Sequence, residues 1–133
     1  MKIEFFVPGK PAPQGSKRHV GRGVLVESSK EVGPWRERIA LAAHQAMKGR
    51  PPADGAVIVG LIFIMPRPKS LPKSKPTPFA TKRPDIDKLA RAALDALTTN
   101  VIRDDSQVIK LVIHKRIAEA DETPGVRVQV WSS

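Results

Sequence analysis

AVIVGLIFIM, residues 56–65, is an uncharged run of aliphatic and β-branched side chains. It reads as the central strand of a sheet. It is far too short to span a bilayer.

Upstream, a helix is expected from about Pro34 to Lys48. Proline suits a first helical position, and Trp35, Ile39, Ala42, Ala43, Ala46 and Met47 recur at helical spacing on one face. Gly49, before Arg50-Pro51-Pro52, ends it. Lys2 to Val7 reads as a first strand. A rigid basic loop follows from Pro8 to Arg18, where proline fixes φ and glycine makes turns. His19-Val20 and Val24-Leu25-Val26 suit a short hairpin across Gly21-Arg22-Gly23.

Downstream, residues 66–84 hold six of the thirteen prolines and six Lys or Arg residues, with no acid. This composition predicts an extended, mobile loop. It is read either as a surface linker or as a DNA-contacting flap that orders on binding. The second reading is preferred because the loop lies in sequence beside a group of aspartates. A second helix is expected over about Asp87 to Leu97, with Leu89, Ala93, Leu94 and Leu97 as its apolar stripe. Pro84 disfavours helix at Arg83, and Thr98-Thr99-Asn100 closes the helix. A strand over about Gln107 to Ile117 follows the turn at Arg103-Asp104-Asp105-Ser106. Asp121 to Gly125 is a polar turn, and Val126, Val128 and Val130 alternate with polar residues in a last strand. The sum is one α+β domain over residues 1–133, a mixed sheet with two helices packed on it. No internal repeat or second domain is read.

The chain has no cysteine, which excludes disulfides, cysteine nucleophiles and thiolate zinc sites. Met1-Lys2-Ile3-Glu4-Phe5 starts a strand-like pattern rather than a leader, so a soluble, cytoplasmic protein is expected. The net charge of +10 costs stability through self-repulsion, which a polyanionic partner would relieve. Nucleic acid is the leading candidate, and no basic amphipathic helix supports a membrane surface.

Between Gly55 and Ala118 every acid is an aspartate: Asp85, Asp87, Asp95, Asp104 and Asp105. Bare carboxylates beside a phosphate-binding loop would repel the ligand unless they hold a divalent cation. Mg²⁺ takes a few carboxylates plus water and substrate phosphate. Such an ion makes water nucleophilic and stabilises the leaving oxygen of a phosphodiester, while nearby bases stabilise phosphate charge. Arg91 lies one turn from Asp87. Each aspartate also has a plain structural reading. Asp85 or Asp87 suits a helix cap and is favoured by the helix dipole. Asp95 suits a solvated face or an ion pair with Arg91. Asp104 and Asp105 suit a turn.

The stretch Arg83-Pro84-Asp85-Ile86-Asp87-Lys88-Leu89-Ala90-Arg91-Ala92-Ala93-Leu94-Asp95-Ala96-Leu97, with Val101-Ile102-Arg103-Asp104-Asp105-Ser106-Gln107-Val108, resembles the RusA family of Holliday-junction resolvases. That family carries a pattern like (K/R)-P-D-x-D-N-x-x-K-x-x-x-D-x-L, a spacer, then D-D-x-Q-V. The opening strand with Pro8-Gly9-Lys10-Pro11 is also similar, whereas the central basic loop is longer than the resemblance implies. The resemblance implies a small, dimeric, Mg²⁺-dependent endonuclease of phage or prophage type, with Mn²⁺ as an alternative ion and no small-molecule cofactor. It implies that Asp85, Asp87 and Asp105 are metal-binding carboxylates and that Asp104 is a neighbouring acid of lesser weight. Arg91 falls where the family has a functional Lys, and the two cations are not equivalent. Lys88 stands at the usual Asn position. Asp95 matches a structural position, and Gln107 a supporting one. A homodimer suits paired nicks in a two-fold junction, with an apolar strand or the first helix as interface.

Lys10, Lys17, Arg18, Lys69, Lys73, Lys75, Lys82, Arg83 and Lys88 are expected DNA contacts, additive and salt-sensitive. His19, His44 and His114 are isolated and read as structural or surface residues. Trp35 and Trp131 read as core or interface. With no Tyr and few aromatics, base stacking is not expected to be the main binding mode. The function expected is resolution of branched DNA in recombination and repair. The same chemistry serving phage DNA processing or packaging is the first rival, and a non-catalytic nucleic-acid-binding module the second.

Overall fold

The computed structural model describes residues 1–15, 17–19, 25–27 and 30–133. Five strands alternate with two long helices before a final strand: β1 (Lys2–Pro8), β2 (Lys17–His19), β3 (Leu25–Glu27), α1 (Val32–Met47), β4 (Val57–Met65), α2 (Ile86–Leu97), β5 (Val108–Ile117) and β6 (Gly125–Ser132). A short 3₁₀ turn, Asp105–Gln107, leads into β5.

The main sheet is mixed, in the order β1-β6-β4-β5. β4 lies centrally, antiparallel to β6 and parallel to β5. Its parallel partner requires a crossover, and α2 supplies it. Along β4, Val57, Val59, Leu61, Phe63 and Met65 are buried, while Ile58, Gly60 and Ile62 are half-buried. The odd positions join Ile3 and Val7 of β1, the three valines of β6, and both helices in one core. Both helices therefore cover the same face of the sheet, and of the alternate β4 positions only Ile64 is buried. Gly125 is required at the start of β6, because a Cβ there would collide with the Val7 carbonyl and the Phe6 ring.

α1 begins at Val32 rather than Pro34, and Val32 joins Trp35, Ile39, Ala43 and Met47 as its buried face. Ala42 and Ala46 are only partly buried. Lys48 at φ 52 and Gly49 at φ 80 end the helix in left-handed backbone. The Arg50 guanidinium donates to the Met47 and Ala46 carbonyls there. α2 buries Leu89, Ala90, Ala92, Ala93, Ala96 and Leu97, a wider face than the sequence stripe, with Leu94 only partly buried. The alanines set that width, since they let α2 sit close to α1 and the sheet.

β2 and β3 pair antiparallel, from Lys17↔Glu27 to His19↔Leu25. The expected turn Gly21-Arg22-Gly23 lies outside the described residues. Trp35 is core, whereas Trp131 is half-buried with Lys2 over its ring. His44 and His114 are exposed. Among the described residues, no helix is long and apolar enough to cross a membrane.

Residues 66–84 contain no helix or strand, as the composition predicts. They are nonetheless fastened to the sheet. Arg67 donates to Thr77 Oγ1 and to the carbonyls of Pro72, Lys75 and Ala118, at 2.7–3.3 Å. Thr77 donates in turn to Glu119, and Lys73 meets Asp121 at 3.0 Å. The receiving turn is itself braced: Arg116 grips Glu122 with two bonds and holds its carboxyl down to about 2.

Candidate active site

Asp85 is the N-cap residue of α2, with extended backbone (φ −71, ψ 141), and its carbonyl accepts from Leu89 N. Its side chain makes no capping hydrogen bond. Asp87 lies in the first turn. Both are exposed, and among the described residues neither carboxylate is in a hydrogen bond or ion pair. A cap is thus formed by the backbone geometry alone, and two carboxylates at the positive end of a helix dipole are left free.

The chain entering Asp85 is held by Lys115 of β5. Its ammonium donates to the carbonyls of Lys82 and Pro84, at 2.9 and 2.8 Å. Sequence reasoning missed Lys115. The one available signal was a lysine in the alternation of Leu111, Ile113 and Ile117; in the sheet it is in register with buried Phe63. On the other side of Asp85, Gln14 N donates to the Lys88 carbonyl at 3.0 Å and ties the loop after β1 to α2.

Between that loop and residues 66–84 runs a cleft of about 950 Å³, with Asp85 in its wall. Lys10, Lys82, Arg83 and Lys88 also line it, so the basic loop does place cations beside Asp85. Lys69, Lys73 and Lys75 lie outside the lining, and Lys73 is paired with Asp121. Lys17 and Arg18 lie in β2. Their side chains are outside the described residues. Arg91 is exposed one turn along from Asp87.

The second acid pair sits in the 3₁₀ turn before β5. The Ser106 side chain and, at 2.9 Å, Ser106 N both donate to Asp104, and together they lower its pKa. It caps the turn together with Gln107. Asp105 is exposed and, among the described residues, has no partner. Gln107 holds the turn in place: its Oε1 accepts from the Arg103 and Asp104 amides, and its Nε2 donates to the Ala53 and Gly55 carbonyls, at 2.7–2.9 Å. Arg103 adds an ion pair to Asp54 at 2.6 Å. Gln107→Ala is expected to destabilise the fold by about 1–3 kcal/mol, through unpaired amides and carbonyls. A denaturant midpoint equal to the parent's would contradict this role.

Asp95 pairs with Arg36 of α1 at 3.8 Å rather than with Arg91. It links the two helices, through a partner other than the one expected.

Within one chain the two acid pairs stand apart. Asp85 and Asp87 are at the first turn of α2, and Asp104 and Asp105 lie beyond its last. Twelve helical residues span about 18 Å. Among the described residues, no three acids or histidines gather where one ion could be held. Each half still fits Mg²⁺ chemically, since Asp85, Asp87 and Asp105 offer hard oxygen donors free of other partners, and Mg²⁺ keeps several waters beside one or two carboxylates.

The sequence matches the family described as Endodeoxyribonuclease RusA over residues 8–131. It is also 30% identical over 140 residues to Uncharacterized protein YqaN of Bacillus subtilis (strain 168), covering 96% of this chain and 94% of that protein. With the family match running from the end of β1 to β6 and taking in both acid pairs, the chain belongs to the RusA family of endodeoxyribonucleases, Holliday-junction resolvases that act on branched DNA.

Proposed function

We propose that this protein resolves four-way DNA junctions by paired, Mg²⁺-dependent nicks, acting as a cytoplasmic homodimer in recombination and repair. The observation that carries the reading is the pair of free carboxylates, Asp85 and Asp87, in and beside a cleft lined by four cations. Asp85, Asp87 and Asp105 hold the ion, with Asp104 as their neighbour, and Mn²⁺ is an alternative. When bound, the ion would make a water nucleophilic and offset charge on the scissile phosphate. Arg91 stabilises the charge that gathers on that phosphate. Lys10, Lys82, Arg83 and Lys88 draw in the DNA backbone, and Lys17, Arg18, Lys69, Lys73 and Lys75 extend that path.

The dimer answers the separation of the acids. β5 is a sheet edge, and its outer side makes no backbone hydrogen bond among the described residues. Ile109 is 71% exposed, Val112 43% and Leu111 38%. An open edge with exposed apolar side chains of this kind invites pairing with another strand. Two copies of β5 related by a two-fold axis would pair antiparallel, an isologous contact. The Val108 end of one then meets the Ile117 end of the other. Lys115 ties Asp85 to the Ile117 end, and Gln107 ties Asp105 to the Val108 end. This pairing carries the partner's Asp105 toward Asp85 and Asp87.

The test is a gel assay on a synthetic four-way junction, a flap and a linear duplex, with Mg²⁺ and with EDTA. Two symmetric nicks in the four-way junction, in Mg²⁺ only, are expected. Preference for the flap would favour phage DNA processing instead, and binding without cutting in any ion would leave a non-catalytic module.

A further inference from the structure

Phe79 is 92% exposed, an unusual position for a phenyl ring in a loop held by many bonds. The loop offers it deliberately. Pro76 and Pro78 fix the backbone before it, Arg67 and Glu119 grip Thr77 between them, and Thr81 N donates to the Phe79 carbonyl at 3.0 Å. Lys115 anchors the far side through Lys82 and Pro84. Phe79 lines the same cleft as Asp85. Within that cleft the deeper lining is apolar, with Pro11 and Met65 buried and Ile117 half-buried. Lys10, Lys82 and Arg83 line it from exposed positions.

An apolar interior under a rim of three exposed cations and two exposed carboxylates, Glu31 and Asp85, suits one chemical class well. A nucleobase has flat apolar faces, and its phosphates stay outside on the rim. The volume lies within the range of pockets that enclose small ligands. A base buried in a duplex stack cannot enter, but one beside a branch point is already poorly stacked and costs less to extrude. We infer that the cleft is a pocket for an unstacked base next to the cut phosphate, with Phe79 as its stacking partner. The inference rests on the proposed action at branched DNA. A single ring adds little to the bulk electrostatic binding of a +10 chain, which agrees with the low aromatic content. Its effect is selective, since only DNA with an available base gains from it.

The test measures affinity in EDTA, so that no strand is cut. The probes are a four-way junction, an unbranched duplex of the same sequence, and a junction carrying abasic sites at the nucleotides flanking the crossover. Phe79→Ala is expected to weaken junction binding roughly 5- to 100-fold, the effect of losing one aromatic stack. Duplex binding should change less than about twofold, because phosphate contacts dominate it. Phe79→Trp should bind like the parent protein. The abasic junction should cost the parent protein the same factor and Phe79→Ala nothing more, as expected when two changes remove one interaction. The proposal is overturned if Phe79→Ala binds the junction normally, loses affinity equally for duplex, or loses a further factor on the abasic junction. Cutting by the parent protein in Mg²⁺ is scored separately. Cutting without a Phe79 effect sinks the pocket alone, and a Phe79 effect without cutting sinks the nuclease reading alone.

Discussion

Asp87→Asn should cut a four-way junction at least about a thousandfold more slowly than the parent protein, a loss on the order of 4 kcal/mol of transition-state stabilisation. It should bind that junction as tightly or more tightly. Asparagine keeps the shape of the side chain and removes its charge, so it removes a hard ligand for Mg²⁺ and also a repulsion toward phosphate. The fold should be indifferent. Asp87 is exposed and among the described residues has no partner, and its interaction with the α2 dipole contributes only about 0.3–1 kcal/mol. Gel cleavage, gel-shift binding and a melting curve separate these effects. A variant that cuts normally removes Asp87 from the site, and one that fails to fold shows that its role is structural.

Leu111→Lys should give a folded monomer that binds DNA and barely cuts it. Leu111 is 38% exposed and lies on the open edge of the sheet, so its replacement disturbs little of the core. In an isologous contact each substitution appears twice, so the strand pairing gains two cations close to its two-fold axis. Juxtaposed like charges cost several kcal/mol, so dimerisation should weaken by about a hundredfold or more. Sedimentation gives the oligomeric state, and the same samples give cutting. A Leu111→Lys dimer with parental activity would move the interface elsewhere, α1 being the other apolar surface considered.

The core was legible because it is periodic. The apolar run at residues 56–65 and the leucines and alanines of α2 place a strand and a helix without reference to anything distant. Their bounds shift by one or two residues where backbone geometry decides, as at Val32 and Val57. The fastenings were not legible. Arg67, Gln107 and Lys115 each bind backbone carbonyls far away in sequence, and a carbonyl leaves no trace in residue identity. Asp95 likewise finds Arg36 on the other helix rather than Arg91 on its own.

The carboxylates show the limit most clearly. Asp85 and Asp105 are near one another in sequence and joined by a helix of family-like length, which suggested a single cluster. A helix is a rigid rod, and the same segment that links the two acid pairs also holds them apart. In the dimer we propose, their use as one site depends on the open edge of β5, which the sequence marks only as one more apolar strand.

Asp87→Asn and Asp105→Asn, each inactive alone, provide the most direct measurement when mixed on a four-way junction in Mg²⁺. If one site draws Asp85 and Asp87 from one chain and the partner's Asp105, each mixed dimer carries one intact site and one doubly defective site. Random exchange then restores about a quarter of the parental sites, and the product is a single nick rather than a resolved junction. A mixture that stays inactive after its chains have exchanged would contradict the account.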